Sequence, residues 1–169
     1  SLLPPPAPPP AEAVQLRVMT FNVWHNQPAA WVVPDPEERW LRYRERLRHL
    51  IAFIVEEAPD IVALQEVRHD VGCGPHGSNG QQISHFAEAL PDYQYVYQPA
   101  EAGEFLHLED PTSRVEEGVA LLSRHPVLSQ GYVLLPRVPG DRADNHQRVC
   151  LHVEVRWCDG DGELFVLHC

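Results

Sequence analysis

Pro59-Asp60-Ile61-Val62-Ala63-Leu64-Gln65-Glu66-Val67 passes within nine residues from a helix stop, through a wholly apolar run, to a polar pair. Ala58-Pro59-Asp60 closes whatever helix precedes it, because proline disfavours helical geometry at the residue before it. Ile61 to Leu64 lacks the alternation of a half-exposed strand and reads as a short strand buried on both faces. Gln65 and Glu66 then stand where that strand reaches the surface.

Moving toward the N-terminus, Asp35 caps the preceding helix, Pro36 suits its first position and Glu38 sits three residues after the cap. Trp40, Tyr43, Leu47, Leu50 and Ile54 recur at helical spacing and define one apolar stripe. Arg39, Arg42, Arg44, Arg46 and Arg48 mostly fall opposite that stripe among Glu37, Glu38 and Glu45, which reads as a solvated face. A loop with Trp24, His25 and Trp31 lies before the helix. Ahead of it, Leu16-Arg17-Val18-Met19-Thr20-Phe21 reads as a strand with Asn22 at its C-terminal end.

Toward the C-terminus come a Gly-rich loop, Gly72 to Gly80, and a second amphipathic helix from Gln82 to Leu90. Strands then dominate: Tyr93–Tyr97, Gly118–Leu122, Gly131–Leu135, Arg148–Trp157 and Glu163–His168. The last two flank Asp159-Gly160-Asp161-Gly162, a hairpin turn rather than a calcium loop, since no twelfth-position ligand follows. Helices early between strands and hairpins late predict an α/β (α+β) sandwich, a mixed sheet layered with helices.

Composition narrows the chemistry. The 169 residues suit one domain, with 1–13 a proline-rich linker or tail and 14–169 the folded part. Twenty-four acidic residues stand against 13 basic ones, a net charge of −11, so no basic nucleic-acid-binding patch is expected. Every basic residue is arginine. The absence of lysine excludes a Walker A site, a protein kinase and a pyridoxal enzyme. A metal-dependent phosphoester site survives that filter, because there the cation supplies the positive charge. No apolar run approaches the roughly 18 residues of a membrane span. Cys73, Cys150, Cys158 and Cys169 have no zinc or C-x-x-C spacing, and disulfides and free thiols both stay open, as does location, extracellular or cytoplasmic.

Asn22 and Glu66, each at the end of a strand, form one candidate pair. Mg²⁺ takes hard oxygen ligands, often one or two carboxylates with water and substrate phosphate completing the shell. On pattern alone, polar residues that merely mark strand ends are the commoner case. His168, on one face with Leu164 and Val166, is a core residue or a catalytic one. The catalytic role requires an orienting carboxylate, for which Glu116 or Glu117 ahead of the Gly118 strand are candidates.

Taken together, Leu16 to Trp24, Pro59 to Val67, Glu117-Gly118-Val119-Ala120-Leu121-Leu122-Ser123-Arg124-His125-Pro126-Val127 and Phe165-Val166-Leu167-His168 resemble the endonuclease/exonuclease/phosphatase superfamily of metal-dependent phosphohydrolases. The resemblance implies a four-layer αββα sandwich. It implies that Glu66 binds catalytic Mg²⁺ (or Mn²⁺), that Asn22 contacts the reacting phosphate or its water, that Glu117 orients His168, and that Arg148 binds phosphate. Its substrates are phosphoesters: nucleic acid, a phospholipid head group or a small phosphodiester. Family members also carry, in a second half, an Asp-x-Asn motif, another aspartate and a final Asp-His pair. The chain ends at Leu167-His168-Cys169 without them, so the expectation is a sandwich truncated after its first half and inactive alone. A non-catalytic interaction module with the same sandwich is the alternative, and the sequence encoded past Cys169 separates the two.

Overall fold

A computed structural model describes residues 15–24, 32–71, 82–102, 114–138, 140, 147–157 and 162–168. The elements run β1 (Val18–Asn22), α1 (Pro36–Glu57), β2 (Ile61–Val71), α2 (Gln82–Ala89), β3 (Gln94–Ala102), β4 (Arg114–Ser123), β5 (Val127–Leu134), β6 (Val149–Trp157) and β7 (Gly162–His168).

Local chemistry sets the limits of α1. The Asp35 carboxylate accepts the Glu37 N–H at 2.9 Å, which satisfies one of the unpaired donors of the first turn. At the other end Ala58 turns left-handed at φ 45° and gives its N–H to Ile54 O, after which Pro59 bars a further turn. The chain enters β2 directly, with Asp60 N and Ile61 N both donating to Arg17 O.

α1 thus crosses between β1 and β2, which pair in parallel with Val18 beside Ile61 and Asn22 beside Gln65. The first sheet has the order β1-β2-β4-β3 and the second β5-β6-β7. Both helices cover one face of the first sheet, where Ile54, Val62, Leu64, Val67, Phe86, Ala120 and Leu122 form a core. On its other face, Ile61, Val96, Val119 and Leu121 meet Val149, Leu151, Val153 and Val155 of the second sheet. Val62 and Ile61 on successive positions feed the two cores, which is why Ile61–Leu64 is apolar without alternation. The described residues supply one helix layer and two sheets of an α/β sandwich.

Four strands differ substantially from the sequence reading, β5 by starting at Val127 rather than Gly131. β2 continues through Gln65 and Glu66 to Val71 instead of stopping at Leu64. β3 and β4 also outrun their apolar cores, so Glu116 and Glu117 lie inside β4 rather than ahead of it. Antiparallel pairing with β4 carries these polar segments, because the backbone ladder is indifferent to side-chain polarity. The proline-rich start, the Gly-rich loop and the Asp159–Asp161 turn lie outside the described residues. So do Cys73, Cys158 and Cys169, while Cys150 on β6 is disulfide-bonded.

Between the helices, the Tyr43 hydroxyl lies 2.6 Å from His85 Nδ1. Burial pushes the Tyr43 hydroxyl well above its usual range, with Arg46 opposing the shift, so the hydroxyl keeps its proton. A folded-state pKa above the unfolded value of about 10 means that the unfolded chain loses the proton first as pH rises. Stability is therefore intact below about pH 10 and falls above it. Burial moves Tyr93 in the same direction. Urea titrations at pH 8 to 11 should show this loss, smaller in Tyr43→Phe, which at neutral pH costs about 1 kcal/mol for the lost hydrogen bond. An unchanged alkaline slope in the variant would exclude Tyr43 as a source.

Candidate active site

Asn22 and Glu66 meet. The Asn22 Nδ2 amide donates to Glu66 Oε1 at 2.7 Å, across the parallel β1–β2 pair. The meeting depends on an irregularity in β2. Its register against β4 slips between Leu64 and Val67, so two residues, Gln65 and Glu66, occupy the space of one. Glu66 takes φ 55°, a left-handed conformation that costs a non-glycine residue about 1–2 kcal/mol. Bulges of this kind re-aim a side chain, and this one turns Glu66 toward Asn22. Val23 N still reaches Gln65 O at 3.0 Å, closing the ladder beside the bulge.

Asn22 is fixed from its other side as well. Its Oδ1 accepts the Trp24 N–H at 2.9 Å, which assigns the amide orientation and leaves Nδ2 for the carboxylate. Trp24 is itself left-handed, at φ 44°. Arg46 of α1 donates through Nη2 to Trp24 O at 3.1 Å and sets its guanidinium 5.0 Å from the indole centroid. Arg46 is thus half-buried against the β1 loop, unlike the exposed Arg42, Arg44 and Arg48 of the same helix. Its role escaped the periodicity argument because that places residues about the helix axis and ignores what lies across from them.

His168 is buried at the end of β7, opposite Leu151 of β6. Its Nε2 is 3.0 Å from Leu64 O and 3.3 Å from the Gln65 amide, whose other contact is Thr20 Oγ1 at 2.9 Å. A carbonyl oxygen only accepts, so Nε2 carries a proton and Nδ1 is the nitrogen left for other partners. These contacts bring the end of β7 onto β2 two residues from Glu66.

The other two sequence candidates stand at greater remove. Glu117 pairs with Arg68 in the β2–β4 register, and it shares with Val119 and Leu121 the β4 face turned toward the second sheet. The described hydrogen bond of His168 runs to Leu64 O of β2 and not to Glu117. Arg148 is exposed at the start of β6, three positions before Leu151, and so lies toward the same end of the second sheet as His168. Its backbone oxygen accepts from Leu135 N and from the Gln147 amide.

The donor set suits a hard cation in one respect. Glu66 Oε1 is occupied by Asn22, while Oε2 has no hydrogen bond among the described residues. One carboxylate oxygen held on a constrained backbone matches the one or two that Mg²⁺ takes from protein. Among the described residues no three His, Cys, Asp or Glu side chains cluster to hold a metal, so any further ligands come from elsewhere.

Residues 19–166 match the family model described as Endonuclease/Exonuclease/phosphatase family. No curated protein gives a significant match. Among solved structures, an endonuclease/exonuclease/phosphatase from Beutenbergia cavernae is 27% identical with a TM-score of 0.60, over 90% of this chain and 37% of that one. A mannosyl-6-phosphatase of Bacteroides thetaiotaomicron is 19% identical with a TM-score of 0.58, over 90% and 50%. The human Nocturnin catalytic domain, solved with a bound sulfate anion, is 20% identical with a TM-score of 0.55, over 90% and 48%. The chain therefore spans half or less of the length of each of these three.

Proposed function

The chain belongs to the endonuclease/exonuclease/phosphatase family, and on that premise we propose that it carries the first half of a Mg²⁺- or Mn²⁺-dependent phosphodiesterase or phosphatase. The observation that carries this reading is the bulge-borne Glu66, hydrogen-bonded through one oxygen by Asn22 and open at the other among the described residues. Glu66 would hold the cation, which when bound neutralises charge on a phosphoryl oxygen and acidifies water.

The chain's own residues do the rest. Asn22 holds the Glu66 carboxylate in one orientation and keeps its amide beside the reacting phosphate. His168, with Nε2–H committed to Leu64 O, exchanges protons at Nδ1 alone, which suits protonation of a leaving oxygen. Glu117, on the β4 face turned to the second sheet, would help to orient His168 in the completed site. Arg148 offers a guanidinium to the phosphate from the same end of the sandwich. With a net charge of −11, attraction of a phosphoester rests on the cation and these few groups. Nucleic acid, a phospholipid head group and a small phosphodiester all fit that chemistry.

The test uses bis-p-nitrophenyl phosphate with Mg²⁺ or Mn²⁺. The 169-residue chain is expected to show no turnover, since it spans half or less of the three solved relatives. A polypeptide that includes the sequence encoded past Cys169 should turn over and stop with EDTA. Turnover by the 169 residues alone, lost on adding EDTA, would overturn the division of the site; EDTA-resistant turnover would overturn the metal. In the active polypeptide, His168→Ala should lower kcat by about 10²–10⁴ with a smaller change in KM, the mark of a group acting in the transition state. A pure rise in KM would make His168 a phosphate-binding residue.

A further inference from the structure

Trp24 occupies a backbone conformation that an L side chain rarely adopts, and nothing in the Asn-Val-Trp sequence asks for it. That conformation directs its carbonyl and indole toward α1, while its N–H is donated to Asn22 Oδ1. Among the described residues it is gripped at three points. Asn22 takes the N–H, Arg46 Nη2 takes the carbonyl, and the Arg46 guanidinium lies over the indole ring. Two of the three grips come from one side chain, on a different element. Arg46 has also given up part of its hydration there, since burial lowers its pKa, with Tyr43 opposing.

We propose that Arg46 is a positioning residue for the Asn22–Glu66 pair, acting through Trp24. The order of contacts is α1 to Trp24, Trp24 to Asn22, and Asn22 to Glu66. Removing the guanidinium releases the Trp24 carbonyl and indole from α1, so the residue shifts and its N–H is no longer held at Oδ1. The Asn22 amide then rotates, and Glu66 Oε1 loses its donor. The consequence for a cation rests on Glu66 being its ligand, as proposed above; the positioning itself does not.

Nuclear magnetic resonance of the 15N-labelled 169-residue chain separates the two. The Asn22 side-chain NH₂ signals, identified by their loss in Asn22→Ser, should be protected from solvent exchange. Arg46→Met should speed that exchange about tenfold, the loss expected for a charged hydrogen bond. Arg46→Lys keeps a cation over the indole and one donor, and should restore much of the protection. Backbone amides of α1 should be unchanged in both variants. Mn²⁺ affinity, read from the free-ion electron paramagnetic resonance signal, should fall at least about tenfold in Arg46→Met and less in Arg46→Lys. Wild-type exchange of the Asn22 amide in Arg46→Met would overturn the proposal. So would equal loosening in both variants together with the α1 amides, because Arg46 would then merely pack the helix. A wild-type chain that binds no Mn²⁺ would overturn Glu66 as a ligand, while protected and Arg46-dependent Asn22 signals would still uphold the positioning.

Discussion

Glu66→Gln is expected to abolish Mg²⁺-dependent hydrolysis by the polypeptide that completes the site, by about 10²-fold or more. On the function proposed above, the cation would supply several kcal/mol of charge stabilisation, and a neutral amide would surrender most of its hold. The fold should survive, because glutamine is isosteric and Glu66 is only part-buried. Asn22 Nδ2 can still donate to the amide oxygen, so the β1–β2 contact persists in weaker form. Titrating Mg²⁺ against turnover in both proteins checks this. Equal activity at limiting Mg²⁺ would place the cation on other residues. The same substitution in the 169-residue chain should remove Mn²⁺ binding without moving the thermal midpoint by more than a few degrees.

Gly118→Ala should have the largest effect on stability. Gly118 lies on β4 opposite Val67 of β2 and Pro99 of β3. Both neighbours break register beside it, β2 between Leu64 and Val67 and β3 between Pro99 and Glu101. A Cβ on Gly118 would collide with Gln98 O and come 2.7 Å from Pro99 Cα, and both are backbone atoms that no rotamer change can clear. β3 must move away, at a cost near the top of the about 1–3 kcal/mol typical of overpacking. For a domain of this size that lowers the thermal midpoint by roughly 6–12 °C. Calorimetry decides it, and an unchanged midpoint would mean that β3 and β4 do not approach as closely as described. Because Glu66 is set by the bulge facing this part of β4, the substitution should also weaken Mn²⁺ binding. A stable variant with normal Mn²⁺ affinity would show the two bulges to be independent.

Much of the architecture is written in local chemistry. Asp35, Pro36 and the 40-43-47-50-54 stripe define α1, and Ala58-Pro59 ends it, since caps and periodicity act within a few residues. The unalternating run Ile61–Leu64 demands cover on both faces, and two cores provide it. The motifs around Asn22, Glu66 and His168 likewise follow from residues adjacent in sequence, which is why the family could be read from them. What local chemistry cannot encode is distance across the chain. That Asn22 reaches Glu66, 44 residues away, depends on the parallel register of β1 and β2 and on a bulge that no glycine announces. That His168 gives its Nε2 proton to a backbone carbonyl 104 residues away depends on how the two sheets stack. Arg46 has the sequence signature of a solvated arginine, and only the packing of α1 against the end of β1 sets it on Trp24. Local preferences determine which elements form and which faces they bury, because those are short-range energies. The pairing of the elements determines which polar atoms meet, because a hydrogen bond forms only where the whole fold brings its partners within about 3 Å.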